Sequence, residues 1–208
     1  MERANNINYL IKNVSSKQEL KKALDFFKMI FKGMSVVNNP EYSFKKWEER
    51  MENHGDLMLY ASLDNEVIGI VFGSIHDDHS ITIRAVAVHE DYRSMGIAKK
   101  MIFLLEKRAI HYGVHSITLG AVESAEKFYS KLGYTGSLLI QSQIHSIDQL
   151  LSLNNRYKVK FTNIYDGKVS QVCLELTEPD RALQKEYEAT FPGCYTQMMY
   201  WKNIGTIS

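Results

Sequence analysis

Glu90–Arg108 reads EDYRSMGIAKKMIFLLEKR and follows Ser80–Val88, SITIRAVAV, which has the composition of a buried strand. The join between them, Arg93-Ser94-Met95-Gly96-Ile97-Ala98, decides the fold. Gly disfavours helix by about 1 kcal/mol relative to Ala. A helix that had only to pack would not need Gly96 at its start, so the spacing implies that something approaches this backbone closely. The first N–H groups of a helix have no intrahelical partner and carry partial positive charge, which makes them a ready site for phosphate. Gly96 opens the approach, Ala98 keeps the next turn clear, and Arg93 can add a charge-assisted contact. The segment reads as a pyrophosphate cradle between strand and helix. It is neither the G-x-G-x-x-G dinucleotide fingerprint nor a P-loop. On its own, R-x-x-G-x-A is also compatible with a small-residue helix start packed on a sheet.

Upstream lies an antiparallel meander: Leu57–Leu63, Val67–Ile75 and Ile81–Val88 read as strands, with turns at Asp64-Asn65-Glu66 and Asp77-Asp78-His79-Ser80. Before it come a strand within Ile7–Val14 and a helix with Leu20, Ala23, Leu24, Phe27 and Phe31 as its apolar stripe. Ser15 and Ser16 both offer an N-cap, with Glu19, three residues after Ser16, as the candidate for a capping box. Ser43 is the expected cap of a second helix carrying Trp47 and Met51. Downstream, a helix over 97–112 ends at Gly113, and VHSITLG is a strand. A strand-helix-strand unit of this length implies a parallel pair with a right-handed crossover. SAEKFYSKLGY, Ser124–Tyr134, is a short helix ended by Gly133.

The remainder reads strand (137–143), helix (147–153), strand (158–164), strand (169–176), helix (181–190), strand (195–201). That order, β-α-β-β-α-β, is the split βαβ, ferredoxin-like pattern. The fold class expected is therefore α/β (α+β), a mixed central sheet plus a small C-terminal α+β segment, with domains at 1–136 and 137–208. Alternatively, the strand at 137–143 completes the first sheet and the tail decorates it.

The 208 residues are 45% hydrophobic and 24% charged, with a formal net charge of +1. A near-neutral chain has no strong long-range field, so neither nucleic acid nor an anionic membrane is expected as a partner. The two cysteines, Cys173 and Cys194, have no zinc spacing, and nothing suggests secretion, so two reduced thiols in a cytoplasmic protein are expected. No stretch is apolar enough for a signal core or a membrane helix. His76-Asp77-Asp78-His79 could suggest a metal, but a solvated hairpin turn explains those residues, and no metal is expected.

Taken together, AVAVHEDYRSMGIAKKM and SAEKFYSKLGY closely resemble the GNAT superfamily of N-acetyltransferases. The resemblance covers most of Ile7–Gly136, including the element order, the R-x-x-G-x-A loop and the A-x-x-F-Y-x-K-L-G-Y helix. It implies acetyl-CoA as co-substrate, its pantetheine arm along the backbone of Val86, Ala87 and Val88. Its pyrophosphate would lie on the loop amides of Ser94, Met95, Gly96, Ile97, Ala98 and Lys99, with Arg93 beside them. The cofactor-binding set implied by the resemblance extends to Ser124, where the family often has Asn, and to Lys127. A backbone N–H near Val88 would stabilise the oxyanion, and Tyr129 matches the tyrosine that protonates the leaving thiolate. By spacing alone Tyr129 is a core aromatic, in a stripe with Ala125, Phe128 and Leu132. The general base stays open: Arg84 stands mid-strand where no acid is found, and His76, His89, Glu90 or water are the candidates.

The activity implied is transfer of acetyl from acetyl-CoA to a primary amine of a small molecule or peptide; the alternative is a non-catalytic acyl-CoA-binding or interaction module. The loop Phe31–Trp47, expected to line the acceptor side, has no acidic cluster, which argues against a polyamine. The tail strands carry apolar residues on both faces, which leads to the expectation that the tail packs on the catalytic domain or forms a homodimer.

Overall fold

The computed structural model describes residues 7–76 and 80–205, which divide into two compact units, 7–117 with 203–205, and Thr118–Lys202. The first unit carries β1 (Leu10–Asn13), α1 (Lys17–Ile30), α2 (Phe44–His54), β2 (Met58–Leu63), β3 (Glu66–Ile75), β4 (Ser80–Val88) and α3 (Ile97–His111). β5 (Ser116–Gly120) spans the division. The second unit carries α4 (Glu126–Lys131), β6 (Thr135–Ser142), α5 (Ile147–Ser152), β7 (Val159–Tyr165), β8 (Val169–Glu175), α6 (Arg181–Thr190) and nearly all of β9 (Cys194–Asn203). The mixed α/β class expected from the sequence is the class observed. Asp77, Asp78 and His79, part of the turn expected before β4, lie outside the described residues.

In the first unit, β1 to β4 pair antiparallel in chain order. One face of this meander is covered by α1 and α2. Leu20, Ala23, Phe27 and Trp47 meet Met58, Tyr60, Ile70 and Phe72 there, with Phe72 5.1 Å from the Trp47 ring. Helix α3 packs against β2, β3 and β4 with Met101 and Leu105 fully buried. Gly73 makes that approach possible: a Cβ on it would lie 3.0 Å from Leu105 and 3.3 Å from Ile81. The β3–β4 register shifts between Phe72 and Gly73, from Phe72↔Ala85 to Gly73↔Ile83, so Arg84 is the extra residue of a bulge.

The expected cap of α1 forms with one difference. Ser16 Oγ accepts from the Glu19 N–H at 3.2 Å, but the Glu19 carboxylate reaches back to the N–H of Ser15, at 2.9 Å, not to that of Ser16. The Ser15 hydroxyl donates to the same oxygen at 2.7 Å, which draws it one residue upstream. Tyr60 donates to the other oxygen at 2.9 Å, tying the helix start to β2.

In the second unit the strand order is β9-β6-β8-β7, all neighbours antiparallel. β8 thus lies between β6 and β7, the two strands that α5 connects. Leu150 of α5 and Leu183 and Tyr187 of α6 are buried, and the Tyr187 hydroxyl donates to the Leu150 carbonyl at 2.9 Å. Along β9, Thr196, Met198 and Tyr200 are buried while Tyr195 is exposed. The contacts place α4 and β6 in one compact unit with the tail, whereas the sequence suggested a division at 136/137, because β6 forms ladders with both β8 and β9. Cys173 and Cys194 are both free; Cys173 is buried and Cys194 half-buried, and burial raises both thiols above their ordinary pKa.

Candidate functional site

Between β4 and α3 the chain makes a short 3-10 turn, Glu90–Tyr92, capped by the His89 side chain, which accepts from the Asp91 N–H. His89 is therefore engaged in holding the turn. Ser94 then adopts φ +64° and Gly96 φ +76°, both left-handed. Gly96 is the N-cap of α3 and supplies no side-chain cap; the first helical bond runs from the Lys100 N–H to the Gly96 carbonyl. The N–H groups of Ile97, Ala98 and Lys99 precede that bond and belong to the set a helix cannot satisfy internally. A Cβ built on Gly96 would meet nothing within 4 Å. The loop thus offers amides, left-handed backbone and open space together. Ser94, Gly96 and Lys99 are exposed, Met95 and Ala98 are half-buried, and Ile97 anchors the turn in the core.

Arg93 is exposed, and its Nε donates to the Val88 carbonyl at 3.2 Å, which holds the guanidinium across the end of β4. The β4 backbone divides by alternation. The His89 N–H donates to the Ile68 carbonyl, and Gly69 pairs with Val88. Neighbouring residues of an antiparallel ladder turn their N–H and C=O groups to opposite sides. Ala87 therefore directs its pair toward β3, while Val86 and Val88 direct theirs to the other edge. Of the three residues expected to bind an extended ligand through the backbone, two are oriented for it and Ala87 is not.

In the second unit, Tyr129 is buried on α4, its ring 5.9 Å from Tyr200 and 6.1 Å from Tyr134, beside Phe128 at 5.2 Å. Burial pushes its phenol up to about 12, so it stays protonated at neutral pH. Ser124 and Lys127 are exposed and line a cleft of about 380 Å³ with Glu123, Glu126 and Arg181. Glu126 is buried and ion-paired with Arg181, a link across 55 positions that no local pattern reveals.

A second feature of the first unit escaped the sequence reading. Arg50 of α2 and Arg84 of the β4 bulge line a cleft of about 250 Å³ together with Asn53, Ser74 and His76. Its one sequence signal is Arg84 itself, a charged residue in an otherwise apolar strand. His76, a candidate base, bonds Thr82 Oγ1 through Nε2 at 2.8 Å, and Glu90 is exposed in its turn. Among the described residues no group of three or more His, Cys, Asp or Glu side chains could hold a metal, and no helix is long and apolar enough to cross a membrane.

A four-stranded antiparallel arrangement leading through a left-handed glycine loop into a helix is the architecture of the first unit, and comparison with known proteins assigns it a family. The family described as acetyltransferase (GNAT) matches residues 23–134, more than half of the chain. A protein of Sodalis glossinidius named as an acetyltransferase is 35% identical over 100 residues, covering 47% of this chain and 68% of that protein. Among solved structures, a GNAT-family acetyltransferase from Staphylococcus aureus Mu50 shares the fold with a TM-score of 0.59 at 16% identity, over 95% of this chain and 100% of that one. The PaiA N-acetyltransferase from Thermoplasma acidophilum, solved in complex with coenzyme A, aligns with a TM-score of 0.50 at 16% identity, over 81% and 99%. The chain belongs to the GNAT family of acetyltransferases.

Proposed function

We propose that the protein transfers the acetyl group of acetyl-CoA to a primary amine by direct attack, with the pyrophosphate held on the 94–99 loop. The observation that carries this reading is the left-handed, uncapped Gly96 with open space above it at the start of α3. An anion seated there meets amides with no helical partner and the positive end of the helix dipole. The outward N–H and C=O of Val86 suit the amide groups of a pantetheine arm. Support for coenzyme A as the ligand also comes from its presence in the complex of the related PaiA enzyme.

Acetyl-CoA supplies an activated thioester. The amine nitrogen bonds the carbonyl carbon, the carbon–sulfur bond breaks, and the amine's proton passes to a base or to water. The Val88 N–H is the donor we assign to the oxygen that gains charge. Tyr129 is the donor we assign to the departing sulfur. A phenol raised to about 12 is a weak acid against a thiol of ordinary pKa near 8.5, so Tyr129 acts more by hydrogen-bond stabilisation than by early proton release.

Thiol release from acetyl-CoA across a library of amines tests the reading. Turnover with any amine is the expected result. Coenzyme A binding without thiol release for any acceptor would replace it with a cofactor-binding module.

A further inference from the structure

Among the described residues, the cleft between α2 and the β3–β4 bulge carries more positive charge than its acids neutralise. Arg50 donates from one terminal nitrogen to the Glu41 carbonyl at 2.6 Å and from the other to the Glu41 carboxylate at 2.8 Å, with its guanidinium 4.7 Å above the Trp47 ring. Its charge is therefore balanced and its fork occupied. Arg84 is different. Its Nε donates to Ser74 Oγ at 2.6 Å, and among the described residues no carboxylate lies within ion-pair distance of it. Burial first, and then the charge of Arg84, hold the Arg50 guanidinium below its ordinary pKa, against the opposing effect of Glu41. The two cations thus sense each other across the cleft. Among the described residues, two arginines against one carboxylate leave one positive charge, and the other titratable groups on the lining are His54 and His76.

The bulge creates this arrangement. The extra residue in β4 is Arg84, and the shift that admits it lies beside Ser74, whose hydroxyl fixes the guanidinium. A half-buried arginine held by one neutral hydroxyl, with its two terminal nitrogens uncommitted among the described residues, is a poor stability device. It is a good receptor for a planar oxyanion, which those nitrogens can bind in a forked manner.

We propose that this cleft holds the carboxylate of the acceptor, so that the substrate class is an amine bearing a carboxylate, an amino acid or a short peptide with an acidic group. The single charge left uncompensated among the described residues matches a monoanion better than a dianionic phosphate. The cationic lining also disfavours polyamines, in line with the absence of an acidic cluster in Phe31–Trp47. The assignment of the carboxylate to an acetyl acceptor rests on the activity proposed above; the binding of a carboxylate at Arg84 does not.

Two measurements separate these levels. Calorimetry with N-acetylated amino acids as probes reads the cleft without turnover. Binding by the wild-type protein, weakened at least tenfold in Arg84→Gln, is the expected result. Asn53→Asp, which adds a negative charge at the rim without touching the Arg84–Ser74 bond, should weaken binding in the same direction and guards against a folding defect in Arg84→Gln. Absence of binding for every probe, or binding in both variants equal to that of the wild type, overturns the proposal. Thiol release is then compared for amino acids against their carboxamides, and for O-phosphoethanolamine against ethanolamine. Amino acids should exceed their carboxamides at least tenfold in kcat/KM, with the preference lost in Arg84→Gln and the KM for acetyl-CoA unchanged. Equal rates for acids and amides, or a preference for the phosphorylated amine, overturn it. Carboxylate binding that needs Arg84, with no thiol release from any amine, would preserve the cleft and remove the acetyltransferase reading instead.

Discussion

Two helices of the first unit begin in opposite ways. α1 opens on Ser16, which caps the Glu19 N–H, while the Glu19 carboxylate takes the Ser15 N–H and hydroxyl and the Tyr60 phenol. α3 opens on Gly96 with left-handed backbone, no side-chain cap and nothing above it. The first start is satisfied by the chain's own side chains. The second presents the same orphan amides to whatever enters the space. An uncapped start is not a site in itself: α4 also lacks a side-chain cap, yet it is a six-residue helix continued from a 3-10 turn. What sets α3 apart is the conjunction of left-handed glycine, open space and the end of β4 held by Arg93.

The largest expected effect separates binding from chemistry. Tyr129→Phe keeps the ring that packs on Tyr200 and Tyr134 and removes only the hydroxyl. Turnover should fall about 10²-fold, the low end of the range for a positioned acid given its raised pKa, while coenzyme A affinity measured by calorimetry stays unchanged. A variant that keeps most of its turnover would return Tyr129 to a packing role.

The helix starts can be separated by stability. Ser16→Ala removes a cap and should lower stability by about 1 kcal/mol in urea unfolding, with coenzyme A affinity intact. A loss of affinity there would mean that the two starts are not independent.

The smallest effect is in the acid range. The hydrogen bonds from Ser15, Tyr60 and Ser16 outweigh burial and hold the Glu19 carboxyl below its ordinary value of 4.5. A carboxyl depressed in the folded state contributes stability above its unfolded pKa, and that contribution is lost as pH falls through the folded value. Stability should therefore decline below about pH 4.5, with a shallower decline in Glu19→Gln. Identical acid limbs would show that the network adds nothing.

The elements and the loop were legible because they rest on local patterns. The apolar stripe of α1, the meander's alternation and turn residues, and Gly96 before a helical period all lie within one element or its edge. Even the ends fall close, as for α6, Arg181–Thr190, read as 181–190. What was not legible depends on register or distance. Arg84 reaches Ser74 only through the bulge at Phe72 and Gly73, and Arg50 joins it from another helix. Glu126 and Arg181 meet across 55 positions. The orientation of Val86 and Val88 away from β3 needs the pairing partner, which no single strand discloses. The one-residue shift in the α1 cap follows from a second serine, Ser15, competing for the same carboxylate.

The central claim, that the open start of α3 holds a pyrophosphate, is tested most directly by calorimetric titration of coenzyme A and of pantetheine, which lacks the pyrophosphate, into the wild-type protein and Gly96→Glu. The substituted side chain places bulk and negative charge in the space above the loop. In the wild type, coenzyme A should bind at least tenfold more tightly than pantetheine, roughly 1.4 kcal/mol. In Gly96→Glu, with folding verified by its melting curve, that difference should disappear while pantetheine binding is retained. Equal affinities for the two ligands in the wild type, or an undiminished preference for coenzyme A in a folded Gly96→Glu, would contradict the account.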